Sequence, residues 1–350
     1  MKILFFFVHP GAFHVLRPTI RHLQQAGHEA DIAIINKDVL PDLLKEHNMP
    51  FTDIFPEGRR SKNMVEALLN LFRTVWRLGK VVRKKRYDLF VTDDCLSING
   101  FLKRIPTLFL IDDDLDVVPE IAPLLTCATK IFAPAVTRLG RYEKKKIGFD
   151  GYKELSYLHP DNFTPDSAVV KKYGLESQNY VFIRVVGLTA THDRNKRGID
   201  NGLLARITDL CLRYGKVPVI SAERPLGELE KYRLKYPACE GLHILAGASI
   251  FVGDSQTMTS EAALLGVPAL RCNDFVGKIS VMDEKEYRYG LTYGFLPGDA
   301  EKMLTKLEEW LQEPDLDAQW QIKYKTMLAQ TVDISSQLFD EIENIFENSK

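Results

Sequence analysis

The run Phe251-Val-Gly-Asp-Ser-Gln-Thr-Met-Thr-Ser-Glu-Ala-Ala-Leu-Leu-Gly-Val-Pro268 holds residues whose types and spacing suit chemistry. An apolar strand (Ser249 to Val252) meets a tight Gly253-Asp254-Ser255 turn, and a helix opens at once with small polar residues, Ser255, Gln256 and Thr257. A helix leaving a strand end points unpaired backbone N–H groups and a positive dipole end at whatever lies above the sheet. Glu261 falls seven residues after Asp254, two helical turns on, and so shares its face. Phosphates at the helix tip and a hydroxyl-bearing ring beside the carboxylate would fit. A nucleotide sugar has that form. Solvated turn residues and an ordinary helix cap at Ser255 are the plainer reading.

Other candidates stand at other predicted strand ends. Asp93 and Asp94 follow Leu89–Thr92, and Asp112, Asp113, Asp114 and Asp116 follow Leu108–Ile111. Carboxylates held close raise one another's pKa and so make acid/base pairs, although Asp also favours strand ends merely as a turn former. Three consecutive Asp suit Mg²⁺ as well. His9 and His14 flank the loop after the first strand, where a neutral imidazole can take a proton near pH 7 or simply pack under a helix. The segment 187–198, with Thr189, Thr191, His192, Arg194, Lys196 and Arg197 beside Arg184, is dense in anion-binding groups. Arg271, Asn273 and Asp274 close the strand after the 251–268 run, and Ser221 and Glu223 end another.

Apolar strand-length runs alternate with helical patterns to position these groups. Strands are expected at 2–8, 29–35, 51–55, 88–92, 107–111 and 130–133, with helices at 15–25, 40–46 and 62–85. Two prolines and several turn formers at Tyr157–Pro165 mark a linker. Strands at 180–186, 217–221, 250–252 and 269–271 follow, and from Glu301 the chain reads as helical to about Asn348, broken near Pro314. The expectation is α/β: two facing Rossmann-like doubly wound domains, 1–158 and 166–325, with a C-terminal helix over 326–350 packing back on the first. Open α/β sheets bind ligands above the carboxyl ends of their strands, which places a site in the cleft between them.

Composition bounds the rest. The 350 residues are 45% hydrophobic and 27% charged with a net charge of −1, which suits a globular protein and speaks against a charge-driven nucleic-acid binder. Five scattered cysteines without a CxxC pair suit a reducing cytoplasm rather than a disulfide or zinc framework. No apolar run reaches the roughly 20 residues of a membrane span, and Met1–Val8 reads as a buried strand rather than a signal peptide. The stretch Arg59–Arg86 holds ten Lys or Arg against one acid, Glu66. As a helix it would be amphipathic and basic, suited to peripheral contact with an anionic inner membrane face, or it would turn its apolar residues to the sheet and leave its basic face solvated.

The run Gly253–Met258 followed by Glu261-Ala-Ala-Leu-Leu-Gly266 resembles the sugar-nucleotide motif of the GT-B superfamily, which comprises two-domain glycosyltransferases and non-hydrolysing UDP-N-acetylglucosamine 2-epimerases. Nearly the whole chain resembles, more narrowly, a bacterial and archaeal family of that superfamily described only as a domain of unknown function. The pieces are His9-Pro10 with His14, Gly27-His-Glu29, Tyr157–Asp166, Ala190-Thr-His-Asp193, Phe251–Met258 and Arg271–Ser280. The resemblance implies the fold and a UDP-sugar ligand but no single reaction. Glycosyl transfer in cell-surface polysaccharide or glycolipid assembly is the expected activity, with the diphosphate at Asp254, Ser255, Gln256 and Thr257, Glu261 on the ribose, and Arg184, His192 and Arg271 as charge partners. His14, Asp93, Asp94 or Asp113 would then activate a sugar or lipid-linked acceptor. No cofactor is implied, and Mg²⁺ would not be required. The alternatives are a 2-epimerase using the Asp clusters, against which Leu115 stands where that pattern has Glu, and a non-catalytic nucleotide-sugar-binding protein.

Overall fold

A computed structural model of the chain describes residues 1–37, 39–58, 64–187 and 198–347. All strand pairings within its two sheets are parallel. The first sheet contains β1 (Lys2–Phe7), β2 (Glu29–Ile34), β3 (Thr52–Asp53), β4 (Leu89–Thr92), β5 (Thr107–Leu110), β6 (Lys130–Pro134) and β7 (Lys146–Phe149), in the order 3-2-1-4-5-6-7. The second contains β8 (Tyr180–Val185), β9 (Val217–Ala222), β10 (Ile250–Gly253), β11 (Ala269–Cys272) and β12 (Thr292–Phe295), in the order 12-11-10-8-9. The chain divides into two units, Met1–Asn162 with Thr331–Lys350, and Phe163–Gln330.

Why these runs are strands follows from burial. Successive side chains of a strand point to opposite faces, yet Ile3 to Phe7 and all four residues of β4 are buried. Both faces of the first sheet are therefore covered by helices, as parallel sheets require. Two elements differ from the sequence expectation for local reasons. The first helix begins at Pro10 rather than residue 15: the His9-Pro10-Gly11 punctuation is a helix start, because proline fits the first helical position, where no N–H partner is needed. The edge strands β7 and β12, and the helix Leu96–Lys103, carry no expectation from the sequence at all. Lys146-Ile-Gly-Phe149 and Thr292-Tyr-Gly-Phe295 each contain a glycine and are only partly buried, so they lack an apolar run.

Residues 334–347 form a helix of the first unit. Ile334, Leu338, Ile342 and Ile345 recur at helical spacing and are all buried. Thr19 Oγ1 donates to the Ser335 carbonyl at 3.1 Å, and His28 Nε2 lies 2.6 Å from Glu343. In the second unit the helices Ala300–Gln312 and Leu316–Leu328 flank Pro314 and bring Trp310 and Trp320 into edge contact at 4.7 Å. Trp320 donates its indole N–H to the Leu291 carbonyl at 3.0 Å, which satisfies a buried donor.

Leu338 is wholly buried. Leu338→Ala is expected to destabilise the first unit by about 2–5 kcal/mol, read as a lower midpoint in guanidinium unfolding. An unchanged midpoint would show that the 334–347 helix contributes nothing to that core.

Candidate functional site

In an open parallel sheet, ligands bind at the carboxyl edge where the strand order reverses, because loops there leave toward opposite faces. The first unit reverses between β1 and β4, and the second between β8 and β10. Each reversal gathers several of the candidate residues.

At the end of β4, Thr92 Oγ1 donates to the Phe6 carbonyl of β1 at 2.8 Å and accepts from the Asp94 amide at 3.0 Å. The Asp94 carboxylate in turn accepts the Cys95 amide at 2.5 Å, just before the helix Leu96–Lys103. Asp93 is arranged differently. Its Oδ1 is buried with no hydrogen-bond partner among the described residues. Burial pushes its pKa up to about 7, helped by the charges of Asp94 and Asp112 and opposed by a backbone hydrogen bond and Lys153.

Lys153 is the residue that motif reading missed. It sits past β7, in a segment with no motif around it, and its ammonium lies 2.7 Å from Asp112 Oδ1. Burial lowers its pKa, but the charges of Asp112, Glu154 and Asp113 outweigh burial and hold it above the usual lysine value. The Asp112–Asp116 run therefore splits by role. Asp112 and Asp113 face Lys153, whereas the fully buried Asp114 accepts the Arg138 backbone N–H at 2.7 Å and pairs with its guanidinium at 3.0 Å. Asp116 meets the same guanidinium at 3.5 Å. Among the described residues no group of three or more His, Cys, Asp or Glu is placed to hold a metal ion.

His9 occupies the position just before the first helix, its ring 3.1 Å from Lys37 Nζ. His14 lies in that helix, its ring 5.4 Å from those of Phe13 and Tyr157. Burial, then the charges of Arg17 and His47, lower its pKa to about 4. It is neutral at pH 7 but a weak base. Pro18, one turn on, has no N–H to offer the His14 carbonyl.

In the second unit, β10 ends at Gly253, where a Cβ would stand 2.9 Å from the Arg184 carbonyl and closer still to the Phe251 ring. Only glycine allows β8 and β10 to stay paired to this point. Asp254 follows, buried. Its carboxylate accepts the Val186 amide at 2.8 Å and the Ile199 amide at 3.2 Å, and its carbonyl accepts Asn273 Nδ2 at 2.9 Å. Burial raises its pKa to about 6 against those backbone hydrogen bonds. Its carboxylate is thus engaged by backbone, while the next residues face outward.

Ser255 caps the helix Gln256–Leu264, its Oγ accepting the Met258 amide at 3.3 Å. Helix geometry leaves the amides of Gln256 and Thr257 without intrahelical acceptors, Thr257 is exposed, and the first turn carries no acid to occupy the dipole. Glu261 is half-buried on the second turn. Arg271 is fully buried behind the helix start and donates to Gln256 Oε1 at 2.8 Å, while its Nε and Nη2 find no partner among the described residues. Burial lowers its pKa against the opposing charges of Glu286 and Asp283. Arg184, half-buried at the end of β8, donates to Ser221 Oγ at 2.9 Å and pairs with Glu223. His192 lies outside the described residues, as do Thr189, Thr191, Arg194, Lys196 and Arg197.

Solved structures match this arrangement over nearly its full length. The fold is GT-B-like. The S. aureus MnaA–UDP co-structure superposes with a TM-score of 0.71 at 13% identity, covering 100% of this chain and 97% of the other. A UDP-GlcNAc 2-epimerase from Neisseria meningitidis bound to UDP-GlcNAc gives 0.68 at 14% identity over 97% and 99%. The spinosyn forosaminyltransferase SpnP gives 0.65 at 16% identity over 99% of both chains. No protein-family model and no curated protein matches the sequence, so the likeness rests on architecture.

Asp93 makes stability depend on pH. In the unfolded chain it ionises near 3.8 and in the folded protein near 7. Between those values the folded protein keeps a proton that the unfolded chain has lost, so this group's contribution is full below the lower value and is lost as pH rises through the higher one. Relative to Asp93→Asn, the wild type should lose on the order of 1–3 kcal/mol between about pH 5 and about pH 8. Denaturant unfolding of both proteins at the two pH values measures this, and parallel curves would contradict it.

Proposed function

We propose that this chain is a glycosyltransferase taking its sugar from a nucleotide-sugar donor, UDP-linked, and that it serves the assembly of cell-surface polysaccharide or glycolipid. The observation that carries the reading is Asp93: a carboxyl oxygen with no hydrogen-bond partner among the described residues, at the sheet's reversal point, with a pKa raised to about 7. A general base works best when its pKa lies near the working pH. Asp93 would take the proton of the acceptor hydroxyl as that oxygen attacks the anomeric carbon. Lys153, paired with Asp112 and acting on Asp93 through space, favours the charged form when it is needed.

The second unit would hold the donor. The amides of Gln256 and Thr257, which have no acceptor within the helix, and the helix dipole suit a diphosphate, and they stabilise charge on the leaving group as the glycosidic bond breaks. Glu261, on the same helix, suits a ribose hydroxyl. Arg271 would act through Gln256 rather than touch the ligand, since its guanidinium is wholly enclosed. Because backbone amides supply the positive potential, the scheme requires no metal or cofactor. Structures sharing this fold were solved with UDP and with UDP-GlcNAc bound, which supports a UDP-sugar here.

A second reading has its own observation. Carboxylates Asp93, Asp94 and Asp112 on one strand-end cluster suit removal and return of a proton at a sugar carbon, as a 2-epimerase requires. NMR of the protein with UDP-N-acetylglucosamine alone separates the two: a C2 epimer forming without acceptor supports the epimerase and removes the transferase.

UDP should raise the melting midpoint of the wild type. Ser255→Trp should abolish that rise by filling the helix entrance, and Asp93→Asn should keep it while lowering turnover by about 10²–10⁴-fold. If Asp93→Asn turns over at the wild-type rate, the assignment of the base fails. If UDP shifts neither protein, the donor site fails as well.

A further inference from the structure

The helix Met64–Val82 has two apolar faces, and a core needs only one. Its inner face sends Leu71, Val75, Leu78 and Val82 into the core with Phe90 and Leu96. Its outer face carries Val65, Leu68, Leu69, Phe72 and Trp76, between 50% and 68% exposed. Their spacing of 3, 1, 3 and 4 residues keeps them on one stripe of the helix. The sequence leaves open whether the apolar residues of this segment pack on the sheet or face outward; the structure shows that they do both.

The adjoining helix Leu96–Lys103 extends the feature. It is tied to the first by Asn99 Nδ2, which donates to the Val75 carbonyl at 3.0 Å. At its end Phe101 and Leu102 are 65% and 68% exposed, followed directly by exposed Lys103 and Arg104. On the long helix Lys80 lies 3.5 Å from the centre of the Trp76 ring, and Arg73 is exposed beside it. Arg83 and Lys84, just past its end, are exposed too. These cations make no ion pair among the described residues, in contrast to Arg77, which meets Glu57, and Lys85, which meets Asp31.

We propose that this face docks the protein on an anionic lipid bilayer, with Phe72, Trp76 and Leu68 at the acyl boundary and Lys80, Lys84 and Arg83 among the phosphates. Charge selects the occupant. A second copy joined about a twofold axis would present the same patch to itself, setting its unpaired cations against their own counterparts. An anionic headgroup layer is the complement instead, and aromatic side chains with basic neighbours are what interfacial helices present to it. No described helix is long and apolar enough to cross a membrane, so the contact is peripheral. This inference does not depend on the reaction proposed above.

Trp310 and Trp320 are buried and Trp76 is exposed, so tryptophan emission reports on this face. The full chain should co-sediment with vesicles containing phosphatidylglycerol, with a blue-shifted emission, and both effects should fade in high salt. Phosphatidylcholine vesicles alone should not bind it. Phe72→Asp, and separately Lys80→Glu with Lys84→Glu, should each weaken binding at least about tenfold while leaving the melting midpoint unchanged. Equal partition onto both vesicle types, or no partition onto either, would overturn the proposal. So would self-association in vesicle-free solution that Phe72→Asp abolishes.

Discussion

The buried carboxyl of Asp254 is the constraint on which the second unit's strand ends depend. It accepts amides from the segments following β8 and preceding the Asn201–Arg213 helix, while its own carbonyl receives the Asn273 side chain beyond β11. A single residue thus joins three loops at the reversal point of the sheet. Burying a carboxylate is costly unless its oxygens are hydrogen-bonded, and here they are. The result is a rigid platform whose next residue, Ser255, starts the helix with its first amides turned outward. Gly253 is the condition for this, since any side chain there would strike the Arg184 carbonyl.

The first unit solves a different electrostatic problem. It crowds Asp93, Asp94, Asp112 and Asp113 at neighbouring strand ends with one lysine among them. Asp94 is satisfied locally by an amide, Asp114 by Arg138, and Asp112 by Lys153. What is left over falls on Asp93, and a proton is the cheapest way to neutralise it. Burial of Asp93 itself is the larger cause of its raised pKa, and the charges of Asp94 and Asp112 add to it.

The fold was readable because buried parallel strands announce themselves as continuous apolar runs: Ile3 to Phe7, Leu89 to Val91 and Tyr180 to Ile183 need no context. The strand–turn–helix at Gly253–Leu264 was readable for the same reason, since glycine, a capping serine and a helical pattern follow one another within a few residues. β7 and β12 were not, because edge strands need little apolar surface. The start of the first helix was hidden by a Pro-Gly pair that serves equally as a turn. Lys153 could not be found from spacing, because its partner lies 41 residues earlier and only the sheet order brings them together. The two-faced character of the Met64–Val82 helix escaped for a related reason. Amphipathic patterning shows that a helix has an apolar side, but not how many of its apolar residues the sheet has room to cover.

The route of the chain between the two units has a consequence for how the protein is made. The chain leaves the first unit at Asn162, builds the whole of Phe163–Gln330, and only then supplies the helix that packs on Pro10–Gln25 beside Thr19. During synthesis the helix Pro10–Gln25 must wait, the side it turns to the C-terminal helix bare, until residues 334–345 emerge from the ribosome, while the second unit already has every strand it needs. The later-made half is therefore free to finish folding first, against the usual N-to-C order of domains.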